Sequence, residues 1–136
     1  MMKSGFKKTP FAIDYTFYIF ENIINDVNFS AVSKIIKSKE KKIIRSSPKS
    51  SGDGNTGLGD NSLTSRFGYF NVLKWQEPDI QKIKDHIVDN VSKFYNRILQ
   101  EKPKDLKIQC WANVMRKGER ISAHSHAVNN LSLIHI

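Results

Sequence analysis

The segment IQCWANVMRKGERISAHSH, residues 108–126, contains a stretch of alternating side chains, a short turn and a second extended stretch. Beginning two residues before it, every second side chain is apolar: Leu106, Ile108, Cys110, Ala112 and Val114. A period of two is typical of a strand with one buried face. The RKGE sequence at 116–119 predicts a turn, after which residues 120–127 resume an extended stretch. The segment therefore predicts strand structure before and after a short turn.

Two histidines, His124 and His126, lie in the second extended stretch. Because alternate side chains of a strand share a face, both imidazoles should point the same way from backbone positions about 6.6 Å apart. Two rings placed in this way can converge on one metal ion. The pair alone is weak evidence, since two histidines near a turn are at least as often solvent-exposed bystanders.

Residues 108–126, followed by Asn129-Asn130-Leu131-Ser132, resemble the 2-oxoglutarate/Fe(II)-dependent oxygenases common in bacteria and phages. That family has Trp-x-Asn, a basic-Gly turn, H-x-H, and then Leu-Ser-Gly leading into an aromatic strand. Upstream, TGLG at 56–59 and LTSR at 63–66 resemble the glycine-rich segment that precedes the barrel in these proteins. The resemblance covers residues 55–132, and its distinctive motifs lie in the C-terminal part.

The resemblance implies an α+β fold, in which N-terminal helices precede the first strands of an incomplete double-stranded β-helix, or jelly roll. The barrel would start within residues 104–130. The family's usual site is a facial triad of two histidines and one carboxylate that holds Fe(II), with positions open for the co-substrate 2-oxoglutarate and for dioxygen. Ascorbate is a candidate further cofactor. The implied activity is hydroxylation of an unidentified substrate, coupled to conversion of 2-oxoglutarate into succinate and carbon dioxide.

The same resemblance assigns the candidate site residues. His124 is the first candidate iron ligand. The family's H-x-D position carries His126 instead of a carboxylate, so His126 could bind iron, support His124 from behind, or line the pocket. Asn113 shares a face with Trp111 and is a candidate pocket residue for co-substrate or substrate, although a plain strand asparagine is an equally good interpretation.

The family places a distal histidine, and a basic residue for the far carboxylate of 2-oxoglutarate, several strands beyond the first ligand. The last six residues, LSLIHI at 131–136, resemble the translation of a transposase mosaic-end adapter, so His135 is discounted as a ligand. We therefore expect residues 1–136 to form a single, truncated oxygenase domain that shows no turnover alone. A natural terminal strand is the alternative.

Two helices are predicted upstream. Isoleucines and other apolar residues recur at spacings of three and four over residues 78–100, which predicts an amphipathic helix beginning at Pro78. His86 on this helix is interpreted as a surface or boundary residue and not as a ligand. A second helix is predicted from a cap at Asn28 or Ser30 to about residue 44, with its lysines turned outward.

A strand and a long loop complete the upstream prediction. Residues 11–19 alternate with a period of two, which predicts a strand with one buried face. Because Tyr18, Phe20, Ile23 and Ile24 fill the other face, a doubly buried strand and a strand that runs into a helix are alternatives. Residues 46–65 are rich in glycine and short polar side chains and predict a glycine-rich loop. The loop contains G-x-G-x-x-G at 52–57, but no strand leads into it and no amphipathic helix follows directly. We therefore interpret this pattern as a loop and not as a phosphate cradle.

The chain has 22 Lys and Arg against 13 Asp and Glu, a formal charge of +9. Much of this charge lies in residues 34–49, where only Glu40 opposes the cations. A basic run this short is usually a solvated helix face, and no aromatic residues interleave with it to stack on bases. Nucleic-acid binding is therefore an open but not favoured alternative. A non-catalytic jelly roll that binds a metal or a sugar is another.

Cysteine usage and hydropathy suggest the compartment. The single cysteine, Cys110, cannot form an internal disulfide and lies in the alternating stretch, which favours a reducing, cytoplasmic environment. Asp14 and Glu21 interrupt the apolar run near the start, which is also too short to span a bilayer. We expect neither a signal peptide nor a membrane helix.

Overall fold

The computed structural model describes residues 5–12, 15–50, 58–100, 102 and 104–122. The chain divides into two compact units. The first takes in Met1–Val32 and Trp75–Ile108, and the second takes in Ser33–Lys74 and Gln109–Ile136.

The first unit begins with an antiparallel pair of strands, β1 (Gly5–Ala12) and β2 (Tyr15–Glu21). Gly5 pairs with Glu21 at the open end, and Ala12 pairs with Tyr15 at the closed end. The prediction of one strand over residues 11–19 is therefore wrong, because the chain reverses between Ala12 and Tyr15. The pairs from Gly5↔Glu21 to Pro10↔Thr16 join odd-numbered residues to odd-numbered ones and even to even, with a register shift between Pro10 and Ala12. The alternation therefore stays in phase across the two strands, and the period alone cannot distinguish one long strand from a hairpin.

Helix α1 (Phe29–Ser46) begins at the predicted cap. The backbone N–H of Ala31 donates to Asn28 Oδ1 over 3.0 Å, so the cap is Asn28 and not the alternative, Ser30. This bond satisfies one of the donors that a helix start leaves without a partner. The predicted inward face is confirmed, with Val32 buried and Ile36 half-buried.

Helix α2 (Pro78–Phe94) confirms the strongest helical prediction and continues into a π-helical turn, Tyr95–Leu99. Pro78 stands in its first turn, and the helical stretch ends at Gln100, whose φ of 54° is left-handed. Its apolar stripe supplies the buried side chains Ile80, Ile87 and Val91. Among the helices that the structure describes, none has both the length and the apolar character needed to cross a bilayer.

The second unit has two short 3-10 helices, Thr64–Tyr69 and Val72–Lys74. Its buried apolar side chains are Leu63, Val72 and Leu73. The described parts of the predicted loop, 47–50 and 58–63, have no regular secondary structure, and residues 51–57 with their glycine pattern lie outside the described residues. Several polar side chains in and just after this loop are also buried, which is unusual for a surface loop: Ser50, Ser62, Thr64, Ser65 and Arg66.

The strand predicted over residues 106–115 is wrong as a paired strand, because residues 106–122 have no strand assignment. The predicted alternation is nevertheless present in the burial. Leu106, which the prediction placed in the same series, is exposed. The even-numbered positions after it are half-buried (Ile108, Cys110, Ala112, Val114), and most odd-numbered ones are exposed (Lys107, Gln109, Asn113, Met115). The backbone N–H of Val72 donates to Cys110 O over 2.8 Å. Val72 is, however, the first residue of the second 3-10 helix. A β-ladder of hydrogen bonds needs two extended segments, and the segment beside residues 106–115 is helical from Val72.

Candidate functional site

Asn113 is the predicted site residue that falls within the described part of the chain. Its Oδ1 accepts a hydrogen bond from Thr64 Oγ1 over 2.5 Å. Thr64 is buried and opens the 3-10 helix Thr64–Tyr69, while Asn113 is exposed. Because the bond uses the amide oxygen, the Nδ2 group is the donor that Asn113 can offer to a ligand.

Two further contacts attach the same side of the 109–113 segment to this 3-10 helix. The rings of Trp111 and Phe67 lie 5.6 Å apart between centroids, at an interplanar angle of 49°. Gln109 Nε2 donates to Phe67 O over 2.7 Å. Gln109, Trp111 and Asn113 are alternate residues, so they share the face that an extended backbone gives to every second side chain. The prediction that Asn113 and Trp111 lie on one face agrees with these contacts.

Cys110 lies on the opposite face of the segment. Its backbone N–H donates to Asn71 Oδ1 over 3.3 Å, and its carbonyl accepts from Val72 N–H. Burial raises the pKa of the Cys110 thiol. The thiolate is the form that binds metals and attacks electrophiles, so a raised pKa makes Cys110 a poor ligand or nucleophile at neutral pH. We regard this cysteine as a packing residue.

A buried guanidinium holds the 3-10 helix in place. Arg66 Nε donates to Ser47 O over 2.8 Å, and its Nη1 donates to Asp60 O over 2.9 Å and to Ser65 Oγ over 2.5 Å. The side chain therefore joins both described parts of the predicted loop. The Nε and Nη1 donors bond to protein oxygens, so they position the turn that carries Thr64.

Ser50 makes a second attachment between the loop and the helix. Its backbone N–H donates to Ser65 O over 2.7 Å, and its Oγ accepts from Gly68 N–H over 2.9 Å. A Cβ at residue 68 would lie 3.2 Å from Ser50 Oγ, which is closer than most real contacts. Glycine is therefore favoured at this position by the close approach of Ser50.

The two candidate iron ligands, His124 and His126, lie outside the described residues. Within the described residues, no group of three or more His, Cys, Asp or Glu side chains is arranged to hold a metal ion. Among the described residues of the 109–113 segment, the groups that could meet a ligand are the amide of Asn113 and the thiol of Cys110. An amide N–H suits a carboxylate oxygen, as 2-oxoglutarate would present, better than it suits a cation. The free donor of Asn113 therefore suits an oxygen acceptor and not a cation.

A second polar cluster, absent from the sequence-based site, lies on α2. His86 Nε2 is 2.7 Å from Asp26 Oδ1, and Lys82 Nζ donates to Asp26 O over 2.7 Å. Asp85 and Asp89 line the same shallow cleft. The hydrogen bond from His86 is the main reason that the pKa of Asp26 lies below its ordinary value. The interpretation of His86 as a boundary residue is confirmed, since its side chain is 32% exposed.

No sequence signal pointed to this pairing. Asp26 and His86 are 60 residues apart, and Asp26 lies in an irregular segment with no period of its own. The spacing of Lys82, His86 and Asp89 does place these residues on one helix face.

The chain matches no protein-family model, and comparisons with curated proteins and with solved structures found no similar protein. The resemblance to the oxygenase family therefore depends on the motif residues of the sequence.

Proposed function

We propose that this chain carries the first metal-binding segment of a non-haem Fe(II), 2-oxoglutarate-dependent oxygenase. In this proposal His124 and His126 bind the iron, and Asn113 lines the pocket beside it. The observation that supports the proposal is the hydrogen bond from Thr64 to Asn113. It joins two separate segments that resemble the family, LTSR at 63–66 and the Trp-x-Asn motif.

Resemblances that arise by chance at two distant places give no reason for the residues concerned to touch. Here three consecutive odd-numbered residues, Gln109, Trp111 and Asn113, all contact the 3-10 helix that follows the glycine-rich loop. A segment held by three contacts on one face is a rigid base for a site that begins 11 residues further along. Rigid support is what a binding constellation needs.

Each residue has a distinct proposed role. His124 and His126 each use one ring nitrogen for the metal and require a partner for the other N–H. The Asn113 amide donates to a carboxylate oxygen of the co-substrate or to the substrate. Iron, when bound, would let dioxygen oxidise two partners at once, with one oxygen atom entering a C–H bond of the substrate and the other entering succinate as 2-oxoglutarate loses carbon dioxide. The Cys110 thiol, held protonated by burial, does not compete for the metal.

No residue of this chain is assigned the third ligand or the basic group for the far carboxylate. The resemblance places both in strands beyond the matched region. The substrate also has no assignment, since protein, nucleotide and small-metabolite substrates are equally compatible with these motifs.

Anaerobic titration with Co(II), a coloured substitute for Fe(II), tests this proposal. We expect saturable binding that His124→Ala abolishes and that His126→Ala weakens, with a change in the Co(II) spectrum when 2-oxoglutarate is added. The matched control is His86→Ala, because the His86 ring is already bonded to Asp26. Unchanged binding by His124→Ala would contradict the proposal. Binding that 2-oxoglutarate does not affect would instead favour a non-catalytic metal-binding jelly roll.

A further inference from the structure

The exposed face of α1 carries five cations: Lys34, Lys37, Lys41, Lys42 and Arg45. Lys34, Lys37, Lys41 and Arg45 are separated by three, four and four residues, so they form one row along the helix. At a rise of about 1.5 Å per residue, the row is about 16 Å long. Lys42 lies beside it. We refer to these five residues as the basic row.

The acid of α1, Glu40, does not neutralise the basic row. Glu40 is buried, with 8% of its side chain exposed, and its Oε2 accepts from Arg116 Nη2 over 2.9 Å. None of the five cations has an ion-pair partner among the residues that the structure describes.

On the exposed face of helix α2, by contrast, lysines lie beside acidic residues. There Lys93 pairs with Asp89 one turn away, and Lys82 lies 3.7 Å from Asp79. Opposite charges at these spacings neutralise one another along the helix. The basic row has no such acids, so its positive potential extends into solvent.

The opposite face of α1 is apolar and partly buried. Val32 is buried, and Ile36 and Ile43 are half-buried. A helix that lies in a membrane interface must insert its whole apolar face among lipids, and here Val32 on that face is already buried in the protein. The basic row therefore offers charge alone, which suits a linear polyanion.

We propose that the basic row binds the phosphate backbone of double-stranded nucleic acid without sequence preference. A duplex carries one phosphate for about every 1.7 Å of its axis, so a length of about 16 Å presents roughly ten phosphates to five cations. No aromatic side chain lies within the row, so the stacking contacts that retain single strands are missing. The duplex is therefore the better partner.

Fluorescence anisotropy with a labelled duplex, measured over a range of salt concentrations, tests the proposal without metal or 2-oxoglutarate. Each phosphate contact contributes about 0.9 to the slope of log affinity against log salt, so the wild-type slope should approach about −4.5. The variant Lys34→Gln/Lys37→Gln/Lys41→Gln should reduce it to about −1.8 and weaken binding at least tenfold at roughly 50 mM salt. Glutamine keeps the helix propensity of lysine.

The matched control is Lys84→Gln/Lys104→Gln/Lys107→Gln, which removes the same charge from three exposed positions outside α1. It should keep the wild-type slope. Equal weakening by both triple variants would overturn the proposal, because only net charge would then matter. It would also be overturned if the wild type does not bind duplex at roughly 50 mM salt, or if it binds phosphatidylserine vesicles more tightly than duplex.

Discussion

Thr64 Oγ1 donates a hydrogen bond to Asn113 Oδ1, although 49 residues separate the two in the sequence. Thr64 is buried at the start of a 3-10 helix, and that helix is fixed by the guanidinium of Arg66. Buried Arg66 therefore fixes the helix that carries Thr64, and Thr64 in turn fixes the exposed amide of Asn113. An exposed side chain loses conformational entropy when it is held, and Asn113 is held in advance of any ligand.

Replacing Thr64 with valine removes the hydroxyl donor but keeps a similar shape. Because exposed Asn113 can turn to water instead, we expect the free energy of unfolding to fall by about 1 kcal/mol or less. Urea denaturation measures this change, and Thr64→Ser, which retains a hydroxyl, is the control. In a double-mutant cycle with Asn113→Ala the two losses should be less than additive. Strict additivity would mean that the bond does not contribute in solution.

Arg66 should tolerate neither alanine nor lysine. Arg66→Ala leaves the carbonyls of Ser47 and Asp60 without their donor, which should lower the free energy of unfolding by about 3 kcal/mol. Lysine supplies one ammonium and cannot reproduce the planar fork, so Arg66→Lys should also destabilise. The control is Arg45→Lys on the exposed face of α1, which should be neutral. An Arg66→Lys protein with wild-type stability would refute the positioning role.

Asp26 should give the protein a component of stability that is lost in acid. The hydrogen bond from His86 holds the pKa of the Asp26 carboxyl below its ordinary value. A depressed carboxyl pKa stabilises the fold above the unfolded-state value, and this contribution disappears as the pH falls below about 4 towards the folded-state pKa. In Asp26→Asn and in His86→Gln, the free energy of unfolding should therefore fall less steeply as the pH is lowered below about 4. Urea midpoints between pH 2.5 and 6 check it, and superimposable profiles would contradict it.

Local chemistry made parts of the fold predictable. The cap at Asn28, the start of α2 at Pro78 and the end of its helical stretch at Gln100 each depend on side chains and backbone within a few residues. The burial of alternate residues in the 108–114 segment was also predictable, since a period of two survives without a sheet. The spacing of the apolar residues likewise indicated that the lysines of α1 face outward, and all of them except the half-buried Lys39 are exposed.

Distant partners were not predictable. Nothing near Asp26 points to His86, and nothing in a glycine-rich loop points to a buried Arg66, because such pairs are brought together only by the fold. The sequence also could not predict which segments pair as strands, for a related reason. A period of two describes faces and not partners, so it could not separate β1 from β2 or show that the 106–115 segment lacks an extended neighbour.

The claim that His124 and His126 place a metal beside Asn113 can be measured directly by NMR. Paramagnetic Mn(II), which takes oxygen and nitrogen ligands, broadens the signals of nearby groups. We predict that the side-chain amide signals of Asn113, identified by their loss in Asn113→Asp, broaden on addition of Mn(II) and stay sharp in the His124→Ala/His126→Ala variant. Signals that stay sharp in the wild type at saturating Mn(II), or that broaden equally in the variant, would contradict the site.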